Sequence, residues 1–145
     1  MKIRQFVYAS SATVSFTEDT LNGLLEQARA KNLENEITGV LIYVQGSFIQ
    51  LLEGEEPALS ETFSRIMADT RHTGLMKLSD RNVEKRSFPD LQMGFRLVSE
   101  KELSEHPDLF VKAGGNWSVS LASDLDTHLR VIFDTFFKIN VNARF

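Results

Sequence analysis

ITGVLIYVQGSFIQLLEG, residues Ile37–Gly54, reads as two strands joined by a two-residue turn. Val40–Val44 is an unbroken apolar run, the pattern of a strand buried on both faces. Gln45 and Gly46 form the turn, and Gly46 supplies the positive φ that a tight hairpin needs. Ser47–Glu53 returns as the second strand. Its alternation puts Phe48, Gln50 and Leu52 on one face and Ile49 and Leu51 on the other. Gln50 is therefore a neutral amide between two large apolar neighbours in mid-strand. Burying an amide without partners costs ~1–3 kcal/mol, so a polar group is expected beside it.

Upstream of the hairpin, Gln5–Ser10 (QFVYAS) reads as a strand with Phe6, Tyr8 and Ser10 on one face and Val7 and Ala9 on the other. Ser15 or Thr17 can cap the helix that follows, with Glu18 and Asp19 in its first turn. Leu21, Leu25 and Ala28 form a stripe at i, i+4, i+7, and one more step lands on Asn32. The buried face of this helix thus ends in an amide. Downstream, Gly54–Pro57 opens a second helix, with Pro57 suited to its first position. Leu59, Phe63 and Ile66 carry its apolar face. Arg65 and Asp69 are spaced to pair across one turn, and Arg71 and His72 follow where the helix should end. Leu75–Val83 is a weakly patterned strand and Met93–Val98 a clearer one, with Leu91, Met93 and Phe95 sharing a face.

The order strand, helix, strand, strand, helix, strand, strand resembles a ferredoxin-like α+β fold. It predicts a five-stranded mixed sheet with both helices on one face. The strands carry apolar residues toward both faces, so the second face needs a cover. Ser123–Asn140 can supply it through Leu125, Leu129, Ile132, Phe133, Phe136 and Phe137. A capping box, Ser99-x-x-Glu102, starts a shorter helix ahead of it, and Gly114-Gly115 marks a loop between the two. C-terminal helices are thus expected to cover the opposite face, with residues 1–98 and 99–145 in one globular unit.

The chain has 145 residues, enough for one domain that buries roughly two thirds of its unfolded surface. Its charge is mildly acidic, 16 − 20 = −4, with no basic block, which argues against nucleic acid. No apolar stretch approaches the ~18 residues of a membrane span, and the apolar run in MKIRQFVYASS is too short for a signal peptide. The lack of cysteine excludes disulfides, thiolate catalysis and thiolate–metal sites. His72, His106 and His128 show no metal-ligand spacing. These features fit a cytoplasmic protein.

Tyr8, Asn32, Gln50 and Met93 are candidates to converge on one face of the sheet, beneath two helices. Each has a plainer explanation. A strand tyrosine packs in a core, an asparagine ends a helix, and a methionine fills a gap. Arg65, Asp69, Arg71 and His72 are either a solvated helix end, with an ion pair worth ~0.3–0.5 kcal/mol, or a rim of donors for an anionic or ribityl-like tail.

Four motifs in order are similar to the BLUF family, the flavin-binding sensors of blue light. They are FVYAS, the hairpin ITGVLIY…GSFIQLLEG, the helix end RIMADTRH and, more loosely, FPDLQMGF. The resemblance runs from Phe6 to Val98. It implies a non-covalent flavin, usually FAD with FMN or riboflavin as alternatives, inserted between the two helices of a domain spanning 1–98. In the family pattern Tyr8 and Gln50 lie beside the ring, with Gln50 bridging the tyrosine hydroxyl and the N5/O4 edge. Asn32 holds the carbonyl and N3 side, and Leu25 and Ile66 face the ring. Arg65 and Asp69 lie near the pyrimidine edge, and Arg71 and His72 toward the ribityl-phosphate. The implied chemistry is light-driven: Tyr8 gives up an electron and a proton, Gln50 relays the proton, and absorption shifts to the red. Met93 and the fifth strand are the implied receivers.

Two positions depart from the family pattern. Leu91 stands where many members have a tryptophan, which makes Tyr8 the expected sole efficient donor. Lys31 stands where an asparagine often precedes Asn32. Trp117 lies outside the resemblance and is read as packing. The expected function is a short stand-alone photoreceptor rather than an enzyme, because the 145 − 98 = 47 residues after Val98 leave no room for an output domain. It would signal to a protein partner or through a homo-oligomer by way of the C-terminal helix. The alternatives are a small flavoenzyme working in the dark and a ferredoxin-like interaction module without flavin.

Overall fold

A computed structural model describes residues 2–14, 16–44, 46–88, 94–98 and 126–142. The hairpin at its centre consists of β2 (Thr38–Val44) and β3 (Ser47–Gly54). The strands pair antiparallel and close at Val44 and Ser47, and Gly46 takes φ 82° in the turn between them. β3 comes very close to β2 at Gly39. A Cβ there would sit 1.9 Å from the Leu51 carbonyl oxygen, so only glycine fits.

β1 (Ile3–Ala12) lies on the other side of β3, also antiparallel. It is longer at both ends than the alternation of QFVYAS indicates. β4 (His72–Val83) pairs antiparallel with β1 and begins three residues earlier than the expected Leu75. This early start follows from the length of β1, whose Ala12 pairs with His72. β5 (Gly94–Val98) completes the order β4-β1-β3-β2-β5. The first four strands reproduce the ferredoxin-like order, and the fold is α+β as the sequence predicts.

Both sheet faces are apolar at the centre, because the strands alternate. Phe6, Tyr8, Leu41, Tyr43, Phe48 and Leu52 share a core with Leu25 of α1 (Glu18–Glu34) and Leu59 and Phe63 of α2 (Glu56–Ala68). Each large apolar side chain buried there contributes ~1.5–3 kcal/mol. On the opposite face Val7, Val40, Ile42, Ile49 and Leu51 are equally inaccessible. Thr17 caps α1 through a capping box with Thr20. Pro57 occupies the second helical position of α2 rather than the first, since α2 begins at Glu56.

The chain divides into two units, Met1–Leu97 and Val98–Phe145. Within the second, α3 (Thr127–Asn142) is described. The Asp126 carboxylate caps it by accepting the Leu129 N–H at 2.9 Å. Leu129, Phe133 and Phe136 form its buried stripe at i, i+4, i+7. Leu125, Trp117, the glycine pair at 114–115 and the Ser99–Glu102 capping box lie outside the described residues. No helix among the described residues is long and apolar enough to cross a membrane.

Candidate functional site

The register of β1 against β3 sets Tyr8 directly opposite Gln50, and that of β2 sets Leu41 on Gln50's other side. Directly opposed residues of an antiparallel pair put their Cβ atoms about 5 Å apart on the same face. Tyr8, Gln50 and Leu41 all open onto one cavity of about 660 Å³. The walls come from both helices. Leu25, Ala28 and Asn32 project from α1, in the stripe that the sequence indicates, while Thr62, Arg65 and Ile66 project from α2. Asp69, Arg71 and His72 close the end beyond α2. Tyr8, Leu25, Asn32, Gln50, Arg65, Ile66, Asp69, Arg71 and His72 thus border a single space.

Tyr8 is buried, with its ring edge-on to Phe63 at 5.8 Å between centroids and tilted against His72 at 6.4 Å. Its hydroxyl makes no hydrogen bond to another described residue. Burial raises the phenol far above its ordinary pKa, and the negative charge of Asp69 adds to the effect, so Tyr8 is neutral. Gln50 and Asn32 are likewise buried. The Asn32 carbonyl accepts the Ile37 N–H at 2.8 Å, which fixes the end of α1 against the start of β2.

The expected Arg65–Asp69 pair is not formed. Asp69 is the C-cap of α2 with an extended backbone, φ −74° and ψ 121°, so it leaves the helical spacing that would bring it over Arg65. Its carboxylate instead accepts the Arg71 backbone N–H at 2.9 Å and the Arg71 Nε–H at 2.9 Å. The Arg71 guanidinium holds the Asp69 carboxyl below the usual range, against the opposing effect of burial. Arg65 donates to the Thr62 hydroxyl at 3.2 Å. His72 Nε2–H donates to the Ile66 carbonyl at 2.5 Å, so in the neutral ring Nδ1 accepts from the Ser10 hydroxyl at 2.8 Å. This imidazole ties β1, the end of α2 and the start of β4 together.

Ser10, Phe16, Phe48 and Thr62 also border the cavity, beyond the residues that the sequence motifs indicate. Ser10 and Phe48 share a face with Tyr8 and Gln50 by alternation, which is the signal that finds them. Lys31 also borders the cavity. Met93 and Leu91 lie outside the described residues. Among the described residues no group of three or more histidines and carboxylates is placed to hold a metal ion.

The model of one protein family, "Sensors of blue-light using FAD" (BLUF), matches residues 3–94. Among curated relatives, the photoactivated adenylate cyclase subunit beta of Euglena longa is 30% identical over 102 residues. That match covers 70% of this chain but 12% of the cyclase subunit, so the chain spans about an eighth of that relative's length. Among solved structures, BlrB, a BLUF protein in its dark state, is 30% identical with a TM-score of 0.68, covering 86% of this chain and 98% of that one. BlsA in its photo-activated state is 25% identical with a TM-score of 0.63, covering 97% and 95% of the two chains. With its Tyr8–Gln50 pair and the cavity between two helices inside the matched span, the chain belongs to the BLUF family of blue-light sensors.

Proposed function

We propose that this chain senses blue light through a flavin held non-covalently in the cavity between α1 and α2, and that the Tyr8–Gln50 pair converts light into a new hydrogen-bond pattern. The observation that carries this reading is the buried Tyr8, whose hydroxyl has no hydrogen bond to another described residue and which borders the same cavity as Gln50, opposite it on the ladder. The cavity suits the cofactor. Its volume lies within the ~300–1,000 Å³ of small-molecule sites. Leu25, Ile66 and Phe48 offer apolar contact, Asn32 and Gln50 offer amides for a polar ring edge, Arg65 offers a cation near the pyrimidine edge, and Arg71 offers one for a phosphate tail. FAD is the family's cofactor, and FMN or riboflavin would present the same ring.

Bound flavin supplies a strong one-electron oxidant when it absorbs blue light. Tyr8, held as the neutral phenol by burial, is the group that yields an electron and then its proton. Gln50 lies across the ladder from it and carries both an acceptor and two donors. Its carboxamide can take the phenolic proton at Oε1 and release one from Nε2; the electron and a proton then return to the Tyr8 oxygen, restoring the phenol and leaving the amide rotated or tautomerised. The pair then ends with every atom retained but with donors and acceptors exchanged. Signalling follows from Gln50 meeting new neighbours, with Met93 and the fifth strand as the proposed receivers, and leaves the chain through contact with a protein partner or a second copy. α3 is the proposed route out of the chain. No substrate turnover is assigned to the chain.

The test is an absorption spectrum of the flavin-loaded protein before and after blue light, repeated on Tyr8→Phe and Gln50→Leu. The wild type should shift to the red, and both variants should remain yellow without the shift. A full photocycle in both variants, or a protein that takes up no flavin, sinks the reading.

A further inference from the structure

β4 and β5 lie at opposite edges of the sheet, so the chain between them has to cross every other strand. The described part of this crossing is fastened to β3 and β2, and Arg81, still within β4, is bonded to β1. Arg81 Nε donates to Gln5 Oε1 on β1 at 2.9 Å. Ser87 N–H and Phe88 N–H donate to the Glu53 carboxylate on β3, at 2.8 and 2.9 Å to its two different oxygens. Arg86 reaches β2, donating to Thr38 Oγ1 at 2.8 Å, to the Glu53 carbonyl at 2.9 Å and to the Glu36 carbonyl at 2.7 Å. Gln5 Nε2 completes the set with a 3.0 Å bond to Glu53.

Glu53 is the hub of this arrangement. It is fully buried, and its cross-strand partners are Gln5 on one side and Thr38 on the other. It lies three residues along β3 from Gln50 and, by parity, on the opposite face. A carboxylate is the one side chain of this shape that accepts from three N–H donors at once. A glutamine cannot replace it. Either orientation of the amide turns an NH₂ toward at least one N–H donor.

We propose that Glu53 is a positioning residue of the light response: it ties residues 86–88, which lead toward β5, to the strand that carries Gln50, so that a change at Gln50 alters this tether. The proposal rests on the light-sensing reading above. The buried carboxylate cannot simply release the segment, because an ion left buried without hydrogen bonds costs several kcal/mol. Movement of β3 therefore takes residues 86–88 with it.

The experiment is hydrogen exchange on the full flavin-loaded chain, in the dark and under blue light, for wild type, Glu53→Gln and Gln5→Leu. In wild type, light should change the protection of the Ser87 and Phe88 amides. In Glu53→Gln at least one of these amides should exchange about tenfold faster in the dark, as expected for loss of one such bond. The light–dark difference there should vanish while the red shift persists. Gln5→Leu keeps both backbone bonds to Glu53 and should keep the difference, which separates the tether from general loosening. If wild type shifts to the red without any light–dark difference at these two amides, the proposal is overturned whether or not Glu53→Gln folds. It is also overturned if Glu53→Gln retains the difference. A wild type that shows no red shift overturns the light-sensing reading itself, and the proposal with it.

Discussion

Two polar rows cross the same sheet on opposite faces, about 10 Å apart along the strands at ~3.3 Å per residue. One runs Lys77–Tyr8–Gln50–Leu41 and the other Arg81–Gln5–Glu53–Thr38. Both bury groups that water would otherwise solvate. In the second row Glu53 accepts from Gln5, Ser87 and Phe88, and Arg81 donates to Gln5. In the first, the Tyr8 hydroxyl has no hydrogen bond to another described residue and faces a cavity. Burial of a polar side chain is therefore not in itself a sign of function. The informative difference is whether the chain satisfies the group or leaves it for something else to satisfy.

The sharpest way to break this comparison is to truncate both rows. Glu53→Ala leaves three donors without their carboxylate and should destabilise the protein by about 3–5 kcal/mol in urea unfolding. Gln50→Leu should cost no more than about 1.5 kcal/mol, since an apolar side chain fits the same core. Equal losses would mean that both rows are structural.

A smaller effect should appear at alkaline pH. The folded state holds the Tyr8 phenol above its ordinary value, while the unfolded chain ionises near ~10. The contribution is therefore complete below that pH and declines as pH rises through it, with a slope approaching ~1.4 kcal/mol per pH unit. The stability gap between wild type and Tyr8→Phe, measured in urea from pH 9 to pH 11, should move against the wild type. A constant gap would show that the phenol is not desolvated.

The smallest effect concerns the cavity rim. The Asp69 carboxyl is depressed by Arg71, so its contribution is present above the unfolded value near ~3.9 and fades as pH falls through the lower folded one. Arg71→Gln should remove about a few tenths of a kcal/mol at pH 7. The difference from wild type should close between pH 5 and pH 2, and a difference that persists at pH 2 would assign the effect to packing.

The hairpin and Gln50 are legible in the sequence because alternation and one turn glycine determine them locally. Asn32 is legible because it continues a helical stripe. Glu53 is not, because it stands last in the expected second strand, where no local pattern marks a carboxylate as buried. Its partners Ser87 and Phe88 use backbone N–H groups, which carry no residue signature. The early start of β4 is hidden because an edge strand exposes Met76 and Leu78 and loses its alternation. The Asp69–Arg71 contact depends on where α2 stops, which is the least determined feature of any helix.

The strand order also sets a timetable for folding. β2 and β3 meet across a turn of two residues, but Ile3 of β1 waits for Val83, 83 − 3 = 80 positions later. Closing so long a loop is slow compared with forming a hairpin. During synthesis the hairpin can assemble while β4 is still unmade. The cavity, with His72 at its end, is completed only after most of the first unit has left the ribosome.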